Sequence, residues 1–158
     1  MQRLKKLTET GGSKAAAAAL AQLAIAAGLY AAPIIGDKSL PEVGYWSVNK
    51  GVVSEFTSGK DDQVVCIIFY RSFLASEDMA AVERLSDAFV LLDYQVVGIF
   101  STTLKNPKYG LWVQKAIEDL QPVAIINATS FSSKGADGYS PLDISTAPIF
   151  QVALSTSN

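Results

Sequence analysis

Residues 64–70 read VVCIIFY, a run of β-branched, aliphatic and aromatic residues with no charged or hydroxyl side chain to break it before its final tyrosine. A strand with one wet face alternates apolar and polar residues. A run that is apolar at both parities instead belongs to a strand covered on both faces, the usual situation in a parallel α/β sheet. Working outward toward the C-terminus, Val82, Leu85, Phe89 and Leu92 recur at helical spacing while Glu83, Arg84 and Asp87 fall opposite, which predicts an amphipathic helix. Ser76 is placed to cap it, with Glu77 and Asp78 in its first turn. Residues 94–100, YQVVGIF, form a second strand. Asn106-Pro107 supplies an N-cap and a first-turn proline for a second helix with Leu111, Ala116, Ile117 and Leu120 inward. A third strand is expected over 122–126, a polar loop over 127–141 and a fourth strand over 149–154. Strand, helix, strand, helix, strand implies right-handed crossovers. The fold class is α/β: an open, doubly wound, mostly parallel sheet of the flavodoxin-like kind. Such a sheet ordinarily continues into another covering helix, so the chain reads as a fragment of a longer one.

Working outward toward the N-terminus, residues 34–60 scatter Pro41, Gly44, Gly51, Ser54, Ser58 and Gly59 among Tyr45, Trp46 and Phe56. This reads as an irregular connector pinned by its aromatics. Residues 15–32 are alanine-rich, with Leu20, Leu23, Ile25 and Leu29 interspersed, and predict a helix capped by Ser13 and stopped by Gly28 and Pro33. A signal peptide or membrane span competes with this reading, because lysines precede an apolar stretch. Polar residues 8–14 separate the two, and alanine contributes little transfer energy. A water-soluble helix and a cytoplasmic protein, not a membrane one, are expected. The organisation is therefore residues 1–60 as N-terminal helix and connector, and 61–158 as the α/β domain.

Composition narrows the chemistry. The 158 residues are 49% hydrophobic and 18% charged, enough to bury a core, and the net charge of -2 argues against nucleic acid as a partner. Residues 1–60 hold 7 Lys/Arg against 4 Asp/Glu, whereas 61–158 hold 6 against 11. Histidine is absent, which removes the commonest metal ligand and the commonest general base near neutrality. No GxxxxGK[ST] or GxGxxG loop follows a strand, so nucleotide binding by this chain is not expected. Cys66, the single cysteine, sits in the apolar run and reads as a buried, inert thiol. No catalytic residue, metal ligand or cofactor is assigned to the chain.

Ligands of open parallel sheets sit beyond the carboxyl ends of the strands, where helix N-termini present unpaired N–H groups. Those positions hold Arg71 and Ser72 after the first strand, then Ser101, Thr102, Thr103 and Lys105 after the second. Asn127, Thr129, Ser130 and Phe131 follow the third. Arg71 offers a planar fork and Lys105 a point charge to a carboxylate or phosphate. Each also has a plain structural role: Arg71 pairing with Asp78, Ser101 or Asn127 capping the next segment. The candidates for substrate binding are Arg71, Ser101, Lys105, Asn127, Thr129 and Phe131. Gln151, inside the fourth strand, is expected to make a structural hydrogen bond, and Asp137 and Asp143 are read as solvated turn residues.

These segments carry a resemblance. FYRSFLASEDMAAVERL at 69–85, GIFSTTLKNP at 98–107, INATSF at 126–131, SPLD at 140–143 and APIFQVAL at 147–154 occur in the order found in the large subunit of aerobic cobaltochelatase, the CobN type. They are more distantly similar to the large subunit of magnesium chelatase. The resemblance spans roughly residues 62–156 and is closest at Arg71, Ser101, Leu104, Lys105, Asn127, Phe131, Pro148 and Gln151. It implies a segment from the N-terminal half of a large subunit that binds a tetrapyrrole and a metal ion. In that family AAA+ ATPase subunits drive the ligase reaction, which inserts cobalt into hydrogenobyrinic acid a,c-diamide in cobalamin biosynthesis. Cobalt, ATP and the rest of the large subunit would belong to the full complex. Two features depart from the family: no histidine or acidic cluster marks a metal-delivery site, and the family's Gly-Asp before the first crossover helix reads Ser76-Glu77-Asp78. Two other readings remain at this point. One is a free-standing flavodoxin-like module binding a small anionic ligand, and the other a secreted or membrane-anchored protein that rests on the alanine-rich run.

Overall fold

The computed structural model describes residues 13–31, 40–59, 62–129 and 138–154. By contacts the chain divides into two compact units, one of Met1–Pro41 with Ser72–Asp78 and one of Glu42–Arg71 with Met79–Asn158.

The first unit holds helix α1, Ser13–Ala26. It stops earlier than the alanine run suggests, because the backbone caps itself. Gly28 takes a left-handed φ of 77°, Leu29 N–H donates to the Ala24 carbonyl at 2.9 Å and Gly28 N–H to Ile25 at 3.0 Å. This is the paired bonding of a Schellman cap, for which glycine carries no steric penalty. Among the described residues no helix is long and apolar enough to cross a membrane.

The second unit is built on strand β3, Val64–Tyr70. Before it come β1, Val43–Ser47, and β2, Gly51–Val53; after it come the short helix α2, Arg71–Ala75, which from Ser72 onward belongs to the first unit, and helix α3, Ala80–Val90. Strand β4, Gln95–Ser101, helix α4, Pro107–Leu120, strand β5, Ala124–Asn127, a 3₁₀ helix at Pro141–Ile144 and strand β6, Ile149–Gln151, complete the order. The six strands form one sheet in the order β2-β1-β4-β3-β5-β6. Strand β3 runs parallel to β4 and β5, and β5 parallel to β6, whereas β1 is antiparallel to both β2 and β4. The four parallel strands thus have the expected doubly wound arrangement. The stretch read as an irregular connector instead contributes an antiparallel hairpin to the sheet.

Strand parity divides the core. Val64, Cys66 and Ile68 of β3, with Val97 and Ile99 of β4 and Ile125 of β5, pack against Val113, Ala116, Ile117 and Leu120 of α4. Each fully buried aliphatic side chain contributes about 1.5–3 kcal/mol relative to exposure. The opposite parity faces α3, which packs on β3 and β4 and buries Val82 completely. This face is aromatic: Trp46 meets Phe69 edge-to-face with ring centroids 6.0 Å apart, and Phe69 lies 6.4 Å from Phe100. Space for these rings comes from two glycines. A Cβ on Gly98 would stand 2.8 Å from Trp46 and 2.9 Å from Phe69, and one on Gly44 would stand 2.8 Å from Phe100.

Several local expectations are corrected by packing. Ser76 does not cap α3: its hydroxyl donates back to the Ser72 carbonyl at 2.8 Å, and Glu77 takes a left-handed φ of 57° to end α2. Helix α3 starts after Met79 with no side-chain cap. Its buried face holds Ser86, whose hydroxyl donates to the Val82 carbonyl at 2.9 Å, while Leu92 lies beyond the helix and is exposed. In α4, Leu111 points to solvent and the smaller Gly110 and Val113 turn inward. The reason is crowding, since a Cβ on Gly110 would stand 3.2 Å from Pro141 and 3.3 Å from the Leu104 carbonyl. Strand β6 ends at Gln151 and lies exposed at the sheet edge.

Two outcomes are expected. Gly98→Ala forces buried rings apart and lowers stability by about 1–3 kcal/mol in urea unfolding, a typical overpacking cost; an unchanged midpoint would show that the face is loosely packed. Burial pushes the Cys66 thiol up to about 12 from 9.0. Between those values the unfolded chain loses this proton and the folded one keeps it, so the contribution is intact below pH 9 and lost as pH rises toward 12. Cys66→Val should therefore flatten the alkaline decline of stability.

Candidate functional site

The carboxyl ends of the parallel strands meet at one rim of the sheet. Tyr70 is in register with Ser101, Ile68 with Asn127, and Asn127 with Gln151. The doubly wound order reverses about β3, so the switch point falls between β3 and β5, beside Asn127.

Asn127 is the hub of this rim. It is buried, and its Oδ1 accepts from the Thr129 amide at 3.1 Å and the Thr129 hydroxyl at 2.7 Å. Its Nδ2 donates to Gln151 Oε1 at 2.7 Å, and Gln151 Nε2 donates to the Thr129 carbonyl at 2.6 Å. The circuit closes across β5 and β6, with the Val152 amide bonded to the Asn127 carbonyl at 2.9 Å. Asn127 and Thr129, at the end of one strand, and Gln151, in another, thus satisfy one another as a latch. The structural hydrogen bond expected of Gln151 is present, although Gln151 itself is exposed.

The other candidates are held differently. Ser101 is buried and its hydroxyl donates to the Thr103 carbonyl at 2.9 Å, while Thr103 Oγ1 accepts from the Lys105 amide at 3.2 Å. Thr102 reaches across to Glu42, with its amide bonded to the Glu42 carbonyl and its hydroxyl to the carboxylate. The β4–α4 loop is therefore fastened to the hairpin side of the sheet. Asn106 caps α4 by accepting from Lys108 N–H at 3.0 Å, with Pro107 in the first turn as the sequence predicts. Lys105 is exposed and Arg71 half-buried, and Arg71 already interacts with a neighbouring group. Phe131, Ser130 and Asp137 lie outside the described residues.

Asp143 has a capping role. Ser140 Oγ accepts from the Leu142 amide at 3.2 Å while the Ser140 amide donates to Asp143 Oδ2 at 3.2 Å, a reciprocal capping box on the 3₁₀ helix. That helix drives Leu142 into the α4-side core. The rim is thus anchored below and stitched above.

Titratable chemistry is sparse. Tyr45 is pushed above its usual range, first by burial and then by Asp119 and Cys66; its ring lies 4.9 Å from Trp112. Among the described residues, no group of three or more His, Cys, Asp or Glu is placed to hold a metal ion. Sequence reasoning missed one further feature, a cleft of about 410 Å³ at the opposite, amino-terminal rim, lined by Lys50, Glu55, Phe56, Ser86, Tyr94 and Gln95 among others. Gln95 Oε1 is buried there without a hydrogen-bond partner. The available signal was a glutamine opening an otherwise apolar strand.

No family model matches the chain. The aerobic cobaltochelatase subunit CobN of Sinorhizobium sp is 32% identical over 136 residues, which span 77% of this chain and 11% of that protein. The chain therefore spans about a tenth of the length of this curated relative. The solved catalytic subunit of cobaltochelatase from Mycobacterium tuberculosis superposes with a TM-score of 0.53 at 14% identity, over 75% of this chain and 9% of that one, and shares its fold.

The latch makes a graded prediction. Asn127→Ala removes the side-chain acceptor that the buried Thr129 amide and hydroxyl share, and should cost about 1–3 kcal/mol in urea unfolding. Gln151→Ala should cost less, because Gln151 is itself exposed and its truncation opens Asn127 Nδ2 and the Thr129 carbonyl to water. Equal costs would mean that Asn127 is not the hub.

Proposed function

The chain is a CobN-type segment, and from that premise we propose that it serves as a tetrapyrrole-side scaffold domain of a cobaltochelatase large subunit. The reaction is ATP-dependent insertion of cobalt into hydrogenobyrinic acid a,c-diamide, in cobalamin biosynthesis. The sequence relationship to CobN carries this reading.

The rim geometry supports the division of labour. Asn127, Thr129 and Gln151 use their polar atoms on one another, and Ser101 closes its own loop, so these side chains hold the rim in shape. In this reading the rim brings a ligand positive charge from Lys105, in the loop after β4, and from Arg71, which follows β3 and already interacts with a neighbouring group. A corrinoid acid carries peripheral carboxylates, and the fork of Arg71 and the point charge of Lys105 match that chemistry. Cobalt is a substrate in this scheme. Among the described residues no group of three or more His, Cys, Asp or Glu is placed to hold it, and the scheme assigns its site to other parts of the large subunit and the work of ATP hydrolysis to AAA+ ATPase subunits. A cytoplasmic location belongs to the same proposal.

Titration of the purified chain with hydrogenobyrinic acid a,c-diamide, followed by tetrapyrrole absorbance, tests the tetrapyrrole-side role. Binding should weaken roughly two- to fivefold with Lys105→Ala and with Arg71→Ala, the scale of a solvent-exposed ion pair, and should fall with added salt. A chain shown by circular dichroism to be folded that leaves the spectrum unchanged would overturn it.

A further inference from the structure

We infer that the outer edge of β6 is a seam onto which another segment of the same large subunit adds a β-strand, with apolar side chains covering Ile149 and Phe150. The starting point is a conflict with the rest of the sheet. Parallel strands are ordinarily buried on both faces. Strand β6 is parallel to β5, yet all three of its residues are exposed, Ile149 at 41% and Phe150 at 53%. Register places Ile149 beside Ile125, on the α4 side, and Phe150 beside Ile126, on the α3 side. An apolar side chain therefore stands uncovered on each face.

The backbone is open as well. The Pro148 carbonyl accepts from the Ile125 amide and the Val152 amide donates to the Asn127 carbonyl, so these residues face β5. Alternation turns the N–H and C=O groups of Ile149 and Gln151 outward. Edge strands in water are commonly guarded by charge, by proline or by brevity; β6 and β2 are equally short, three residues each, so the two edges differ in charge. Residues 144–158 contain no Asp, Glu, Lys or Arg, and Pro148 lies on the inward-facing parity, where it shields nothing. The opposite edge, β2, is guarded: Lys50 immediately precedes it and Glu55 follows shortly after. An uncharged edge of this kind suits a strand that pairs backbone to backbone and lays alternate apolar residues on either face.

The occupant is argued from length. The CobN relative extends far beyond the stretch matched here, so the same polypeptide has ample chain to supply the strand. The inference rests on the reading of this chain as part of a large subunit.

Hydrogen–deuterium exchange with mass spectrometry, resolved to single amides, tests it on the 158-residue chain and on the complete large subunit carrying this segment. In the chain alone, Ile149 and Gln151 amides should exchange fast while Phe150, Val152 and the Ile126 control stay slow. In the complete subunit, Ile149 and Gln151 should exchange roughly tenfold or more slowly. Ile149→Lys with Phe150→Lys should restore fast exchange there, and leave urea unfolding of the isolated chain unaltered because both positions are exposed. Equally fast exchange in both samples would overturn the seam while leaving the tetrapyrrole titration, and the functional reading it tests, untouched. Concentration-dependent protection in the isolated chain, abolished by the same substitutions, would also overturn it by assigning the edge to a second copy.

Discussion

Every other feature of the sheet unit follows from a strand with no wet face. From Val64 to Phe69, β3 is buried at both parities, so it needs a hydrogen-bonded neighbour on each side and a helix on each face. The crossovers through α3 and α4 supply both, one helix per face, as right-handed connections require. On the α4 side the fit is aliphatic. On the α3 side it is aromatic, and there the two glycines set how closely Trp46, Phe69 and Phe100 approach the sheet. The same burial explains why Cys66, at the centre of β3, is held as a thiol and contributes no nucleophile.

How much of this was legible depends on how local the cause is. Strand β3 and the start of α4 are written in adjacent residues, VVCIIFY and Asn106-Pro107, and both occur as read. The hairpin of β1 and β2 was not legible, because VGYWS is apolar at both parities yet contains a glycine and ends at a turn, so neither strand period emerges. Its pairing is set by a partner far along the chain, β4. Inward Gly110 in place of Leu111 follows from the approach of Pro141, again a distant cause. Ser76 misled because a serine before a helix and a serine after one look alike. Only the left-handed Glu77 shows that α2 ends there.

The candidate site shows the same division. Position was legible: strand ends in a parallel sheet are known from strand order alone. Saturation was not, since whether Asn127 is free or spent depends on Gln151, which reaches it only through the pairing of β5 with β6. A latch of this kind has a use. A rim whose amides and hydroxyls are already paired cannot reorganise cheaply around a ligand, which is the preorganisation that the proposed tetrapyrrole-side role would need.

The electrostatics of the domain bear on the proposed scaffold role. Metal insertion into a tetrapyrrole requires proton removal from ring nitrogens, hence a group that titrates near neutrality or a metal-bound base. This chain has no histidine, and among the described residues burial pushes the Cys66 thiol and the Tyr45 hydroxyl upward, away from neutrality. Under the proposed scaffold role, proton removal therefore falls to a centre elsewhere in the large subunit, and the stiff rim of this domain is what it contributes.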